Sequence, residues 1–209
     1  NTKIVGGDIV KSPMLFITVA IYGICQNPTL QRSLLKEKDL IGITGFTGLS
    51  KAGLELSKSQ DELSNLTEYN TQLFYNAHFR PQPKINEGKI LKELGSTCAM
   101  DISDGLFNDL NKMLIASEIS ATINSSCIPI HPEISKVFPN LDFEMVTNGG
   151  EDYEILFGIS ADKIDKLKSL LPDSHIIGKA CSGESGVIEL IKDGKTYKVN
   201  QFNGWDHFK

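Results

Sequence analysis

Apolar and polar positions along this chain follow two periods, and the switches between them mark out its elements. Residues 14–23 (MLFITVAIYG) are rich in β-formers, with Pro13 ahead of them and Gly23 closing the run, which predicts a strand. Gln26-Asn27-Pro28 reads as a turn and a domain junction. Residues 40–45 (LIGITG) predict a second, buried strand. It runs through Gly45-Phe46-Thr47-Gly48 into an amphipathic stretch carrying Ala52, Leu54 and Leu56. Residues 59–79 are polar with a loose helical stripe of Leu63, Leu66, Tyr69 and Leu73. Arg80-Pro81-Gln82-Pro83 ends that stripe, because proline cannot continue a helix and disfavours it in the preceding residue. Residues 85–94 predict a short helix.

The period changes again at residues 97–106. Thr97 to Met100 read as the end of a buried strand, while Leu106, Leu110, Met113 and Leu114 recur at helical spacing. Ser103 or Asp104 is the natural N-cap of that helix. A strand follows at 121–124, then a proline-bearing loop with Pro129 and Pro132. Residues 155–159 form a further strand, 161–171 a helix, and 175–180, 187–192 and 197–199 the closing strands. Asp193-Gly194 suits a hairpin turn between the last two. Strands and helices alternate without internal repeats, so the class is α/β (or α+β) with a mixed sheet.

Composition narrows the function classes. A chain of 209 residues with 40% hydrophobic and 22% charged positions is an ordinary globular protein of one large or two small domains. Its net charge of -5 argues against nucleic acid or an anionic membrane as partner. An anionic ligand would need a metal ion to bridge it to the carboxylates. No apolar run approaches the roughly 18 residues of a membrane span. Cys25, Cys98, Cys127 and Cys181 show no metal-binding spacing, which fits free thiols in a reducing cytoplasm. The opening Asn-Thr-Lys, close before Gly6-Gly7-Asp8, reads as the start of a fragment.

Met100-Asp101-Ile102-Ser103-Asp104-Gly105-Leu106 carries the densest chemistry. The turn sets Asp101, Ser103 and Asp104 at the positive end of a new helix, where carboxylates can hold magnesium and amides can meet phosphate. A capped helix with two surface acids is the plain alternative. Gly6-Gly7-Asp8 permits close ligand approach plus one metal ligand, or is a simple turn. Gly45-Phe46-Thr47-Gly48 has the shape of a phosphate loop without its lysine. Gly149-Gly150-Glu151-Asp152-Tyr153-Glu154 reads as a ligand rim or as a glycine turn with solvated acids. The aromatic tail Gly204-Trp205-Asp206-His207-Phe208 predicts a docked terminus, with Trp205 a core plug or a stacking platform. Arg32, taken alone, reads as part of a solvated face.

In order and spacing, these motifs, with the Arg32 segment and Arg80-Pro81-Gln82-Pro83, resemble the thiamine-monophosphate kinase family. The resemblance implies the fold shared with aminoimidazole ribonucleotide synthetase and selenophosphate synthetase. Residues 1–26 would be the end of an N-terminal nucleotide-binding and dimerisation domain, and 27–209 the C-terminal α/β domain. It implies that Asp8, Asp101 and Asp104 bind Mg2+, that Gly7, Arg32 and Ser103 contact ATP, and that Glu151 and Trp205 face thiamine monophosphate. Arg32 would also act catalytically, as fixed charge on the phosphates. The full-length form would be a cytoplasmic homodimer. Ile9-Val10 and Leu49-Ser50 depart from the family pattern beside two of these motifs.

The implied reaction carries the γ-phosphoryl of ATP to the acceptor's phosphate. Its nucleophile, with a second pKa near ~6, is already anionic at neutral pH, so no general base is needed. Such a site is rich in carboxylates and poor in catalytic His or Cys, as here. Two rivals remain: another ATP-dependent synthetase of the same fold, and a catalytically silent fragment that only binds ligand.

Overall fold

A computed structural model describes residues 2–25, 28–58 and 65–199. Its strands are β1 (Leu40–Ile43), β2 (Cys98–Asp101), β3 (Ser120–Asn124), β4 (Ile155–Ile159), β5 (His175–Cys181), β6 (Ile188–Lys192) and β7 (Lys195–Lys198). They form one sheet in the order β2-β4-β1-β5-β3-β6-β7. Every pairing is antiparallel except β3 with β6, so the sheet is mixed.

Side chains one residue apart on a strand go to opposite faces, and the core divides accordingly. Leu156 joins Ile41, Ile43 and Ile177 in the larger cluster, whereas Phe157 and Ile159 join Leu91 and Leu167 in the smaller. The larger cluster packs under α1 (Leu49–Lys58), α2 (Glu68–Phe79), α4 (Leu106–Ala116), α5 (Pro132–Val137) and α6 (Asp142–Asn148). The smaller lies under α3 (Ile85–Glu93) and α7 (Ile164–Leu170). The result is a sheet between two helical layers.

Most predicted elements form where the periodicity puts them. In the 193–194 hairpin both Asp193 and Gly194 have positive φ (52° and 72°), the backbone a type I′ turn requires. Four expectations need correction. Residues 14–23 are not a strand: Phe16 is 71% and Ile17 78% exposed. A β-former pattern states a preference, but a strand exists only where a neighbouring edge takes its N–H and C=O groups, and none of the described strands does. The helix expected from residue 59 begins at Glu68 instead, because Thr67 and Asn70 close a reciprocal capping box there; residues 59–64 lie outside the described residues. The loop read after residue 124 contains α5 and α6, and Pro132 starts α5 at its first turn, where a missing N–H costs nothing. The N-cap of α4 is Gly105, not Ser103 or Asp104.

Candidate functional site

The two densest motifs lie side by side. Ile102 N–H donates to the Glu154 carbonyl (2.8 Å), Tyr153 N–H to the Ile102 carbonyl (2.9 Å) and Glu151 N–H to the Ser103 carbonyl (2.8 Å). These bonds continue the β2–β4 ladder beyond the sheet into the loops. The approach is close enough that a Cβ on Gly150 would stand 2.7 Å from the Ser103 carbonyl oxygen. On the opposite side, Gly105 (φ 113°) leaves room for the Asn148 backbone. Glu151 and Tyr153 hold positive φ (63° and 53°), a conformation costly for residues with side chains and concentrated at turns and at functional sites.

Gly45-Phe46-Thr47-Gly48 closes the third side. The Asp152 carboxylate accepts from Gly48 N–H (2.6 Å) and Ser50 N–H (3.0 Å), which caps α1 from another segment of the chain. Glu154 accepts from the Thr44 hydroxyl (2.6 Å) and pairs with Lys84 Nζ (2.8 Å), tying in the segment after Arg80-Pro81-Gln82-Pro83. Burial pushes the Asp152 carboxyl up to about 7, against the pull of its two amide donors, and the charge of Glu154 adds to the rise. Beside these residues opens a cleft of about 520 Å³, lined by Phe46, Leu49, Leu73 and Arg80 among others.

Acids from both loops act on the Tyr153 hydroxyl. Burial raises the Tyr153 hydroxyl pKa, and the charges of Glu151, Asp101 and Asp104 raise it further. His78 Nδ1 lies 3.0 Å from the Ser50 hydroxyl and 3.5 Å from Glu151. Both contacts fall on the same ring nitrogen, so this is not a Ser–His–acid relay, which needs one nitrogen for each partner.

The sequence-predicted site residues divide into two groups. Asp101, Ser103, Asp104 and Glu151 come together at the paired loops: Asp101 and Glu151 exposed, Ser103 and Asp104 half-buried. Gly7 and Asp8 sit in the exposed segment 2–25, where the Asp8 carboxylate accepts from the next amide, Ile9 N–H (2.8 Å). Arg32 is exposed as well. Its carbonyl accepts from Ser117 Oγ (3.3 Å) at the C-terminal end of α4, roughly 16 Å along the helix from the paired loops. Trp205 lies outside the described residues.

No three His, Cys, Asp or Glu side chains among the described residues are gathered as a metal cage. The donor set nonetheless fits magnesium. That ion keeps several waters and needs only one or two carboxylates besides substrate phosphates, and Asp101 and Asp104 are hard oxygen donors with no thiol beside them.

Sequence reading missed Asp109 and Lys112. Asp109 is fully buried in the first turn of α4 and accepts from both Ser103 N–H (2.9 Å) and Asp104 N–H (2.8 Å). It supplies from within the helix the capping that Gly105 cannot. Burial alone would lower Lys112, but hydrogen bonds to Asp104 and Asp109 and their charges outweigh it and raise the pKa. The available signal was an acid in the first helical turn followed three residues later by a lysine.

Residues 34–191 match the family model described as AIR synthase related protein, C-terminal domain. The chain is 36% identical to the thiamine-monophosphate kinase of Buchnera aphidicola subsp. Schizaphis graminum, over 99% of this chain and 64% of that protein. It is 31% identical to that of Bacillus subtilis, over 100% of this chain and 65% of the relative. The chain thus spans a little under two thirds of these curated relatives. Among solved structures, one described as AaThiL complexed with AMPPCP and TMP superposes with a TM-score of 0.71 at 29% identity. It covers 86% of this chain and 54% of that one.

Proposed function

The chain belongs to the AIR synthase-related family by its C-terminal domain, and from that premise we propose that it serves ATP-dependent phosphorylation of thiamine monophosphate to thiamine diphosphate. The observation carrying this reading is the backbone pairing of the Asp101–Asp104 turn with the Glu151–Glu154 turn, which gathers acids at one open rim. The named relatives are thiamine-monophosphate kinases, and a structure of like fold holds AMPPCP and TMP, which supports ATP and thiamine monophosphate as ligands here.

On this reading Asp101 and Asp104 would hold Mg2+, which when bound would supply positive charge to two phosphate groups that otherwise repel. Everything else falls to the chain's own residues. Ser103 meets the nucleotide through its side chain, in the turn that opens α4. Asp109 fixes that turn so the ligands arrive already oriented, which lowers the entropic part of the barrier. Glu151 points its carboxylate toward the thiazolium cation of the acceptor, and its strained backbone is held by the bond to Ser103. Trp205 stacks on the acceptor's rings, a contact worth about 0.5–2 kcal/mol. Gly7, Asp8 and Arg32 complete the nucleotide and metal contacts by resemblance alone; in the described structure they stand apart from the paired loops. Residues 1–26 belong to a unit separate from 27–209, a division supported by the exposure of residues 2–25. A cytoplasmic setting and a homodimer belong to the same reading, the first supported by four free cysteines.

The test is ADP release by the protein as expressed from its own gene, with ATP, Mg2+ and thiamine monophosphate. Release that needs thiamine monophosphate supports the reading. Release driven by a different acceptor points to a synthetase of the same fold, and none with any acceptor points to a binding-only chain.

A further inference from the structure

Asp109 has two roles. One oxygen takes the amides of Ser103 and Asp104 (2.9 and 2.8 Å), and the other takes Lys112 Nζ at 2.8 Å. The same Nζ is ion-paired with the Asp104 carboxylate. A chain of alternating charge therefore leads from the fully buried Asp109 through Lys112 to Asp104 at the rim. Lys112 lies three residues beyond Asp109 on α4, so the helix itself sets its reach.

We propose that Lys112 is the resident counter-cation of Asp104, seated on Asp109, and that a divalent cation must displace it to take Asp104 as a ligand. The inference rests on the reading of Asp104 as a metal residue. Without the lysine, the charge of Asp104 would be uncompensated and would add to those of Asp101 and Glu151, which act with it on Tyr153. With it, the turn keeps its shape in the absence of metal, and metal affinity is set by exchange of one cation for another. Lys112 is thus a positioning residue, and it opposes metal binding.

Mn2+ alone, with neither nucleotide nor acceptor, is the probe, and its binding to the 209-residue chain is read by electron paramagnetic resonance. Lys112→Gln should tighten the Kd about threefold to fivefold, the upper end of what a half-exposed ion pair contributes. Lys112→Arg keeps the charge and both carboxylate contacts, so it should leave the Kd unchanged or weaken it. Lys51→Gln removes the same charge from α1, where Lys51 pairs with Glu55 and not with Asp104 or Asp109, and should shift the Kd by less than about twofold because it occupies neither carboxylate. Unchanged or weaker binding in Lys112→Gln overturns the proposal. So does equal tightening in Lys51→Gln, tightening in Lys112→Arg, or no Mn2+ binding in any chain. Asp104→Asn separates the two levels. If it leaves Mn2+ binding intact, the metal reading of Asp104 falls and the proposal with it. If it weakens binding while Lys112→Gln fails to tighten it, only the proposal falls.

Discussion

Residues 6–8 and 149–152 both place two glycines before acids, yet the folded chain treats them differently. A Cβ on Gly6 or Gly7 would meet nothing within 4 Å, whereas one on Gly149 would sit 2.3 Å from the Met145 carbonyl oxygen and one on Gly150 2.7 Å from that of Ser103. Among the described residues Asp8 bonds only its neighbouring amide, while Asp152 reaches more than a hundred positions back to cap α1. The missing side chain is therefore exploited in one motif and idle in the other. A glycine pair records that the backbone is permitted an approach, and tertiary partners decide whether the approach is made.

Four experiments can break or sharpen this contrast. The largest effect is expected at Asp101, which we propose as a metal ligand of the paired loops: Asp101→Asn should lower kcat/KM of the protein expressed from its own gene by about 100-fold or more. Asp101 is exposed, so its urea midpoint should not move; near-normal turnover at ordinary Mg2+ would remove the docked loop's claim to chemistry. Next, Gly150→Ala should cost about 2–3 kcal/mol by urea titration, because its methyl group meets rigid backbone. A near-neutral result would mean that the two loops are not pressed together.

The third turns on pH. Asp152 stands at about 7 in the folded chain against an ordinary value of 3.8. Between these values the folded state keeps a proton that the unfolded state has lost, so stability falls as pH rises through that window. Urea titrations at pH 5 and pH 8 should show the natural chain losing more stability than Asp152→Asn; equal losses would place Asp152 in a solvated setting. The smallest effect belongs to the exposed motif. Gly7→Ala should change stability by less than about 0.5 kcal/mol, and a larger loss would show that its glycines are used after all.

Much of the fold was legible in the periodicity. β1, β4 and α4 fall where alternating or helical apolar positions put them, because burial on one face is a local property of the pattern. Residues 14–23 have an equally good pattern and form no strand, since pairing requires an edge that the segment cannot supply for itself. In the site, Asp101, Ser103, Asp104 and Glu151 were readable as acids and hydroxyls beside glycines. Asp109 and Lys112 were not, because an acid and a lysine one turn apart on a helix ordinarily form a solvated pair.

The sequence by itself determined the type of most elements, the α/β class, the I′ hairpin and which residues have the chemistry that metal and phosphate would need, all of which follow from local spacing and side-chain chemistry. Only the tertiary structure decided that β2 lies beside β4, so that the turns after Asp101 and before Ile155 run together. It alone carried Asp152 to α1, buried Asp109 beneath the turn and left Arg32 at the far end of α4. The reason is physical: contacts between residues fifty or a hundred positions apart depend on which strands share an edge. That choice is made by the packed core as a whole, not by any one segment.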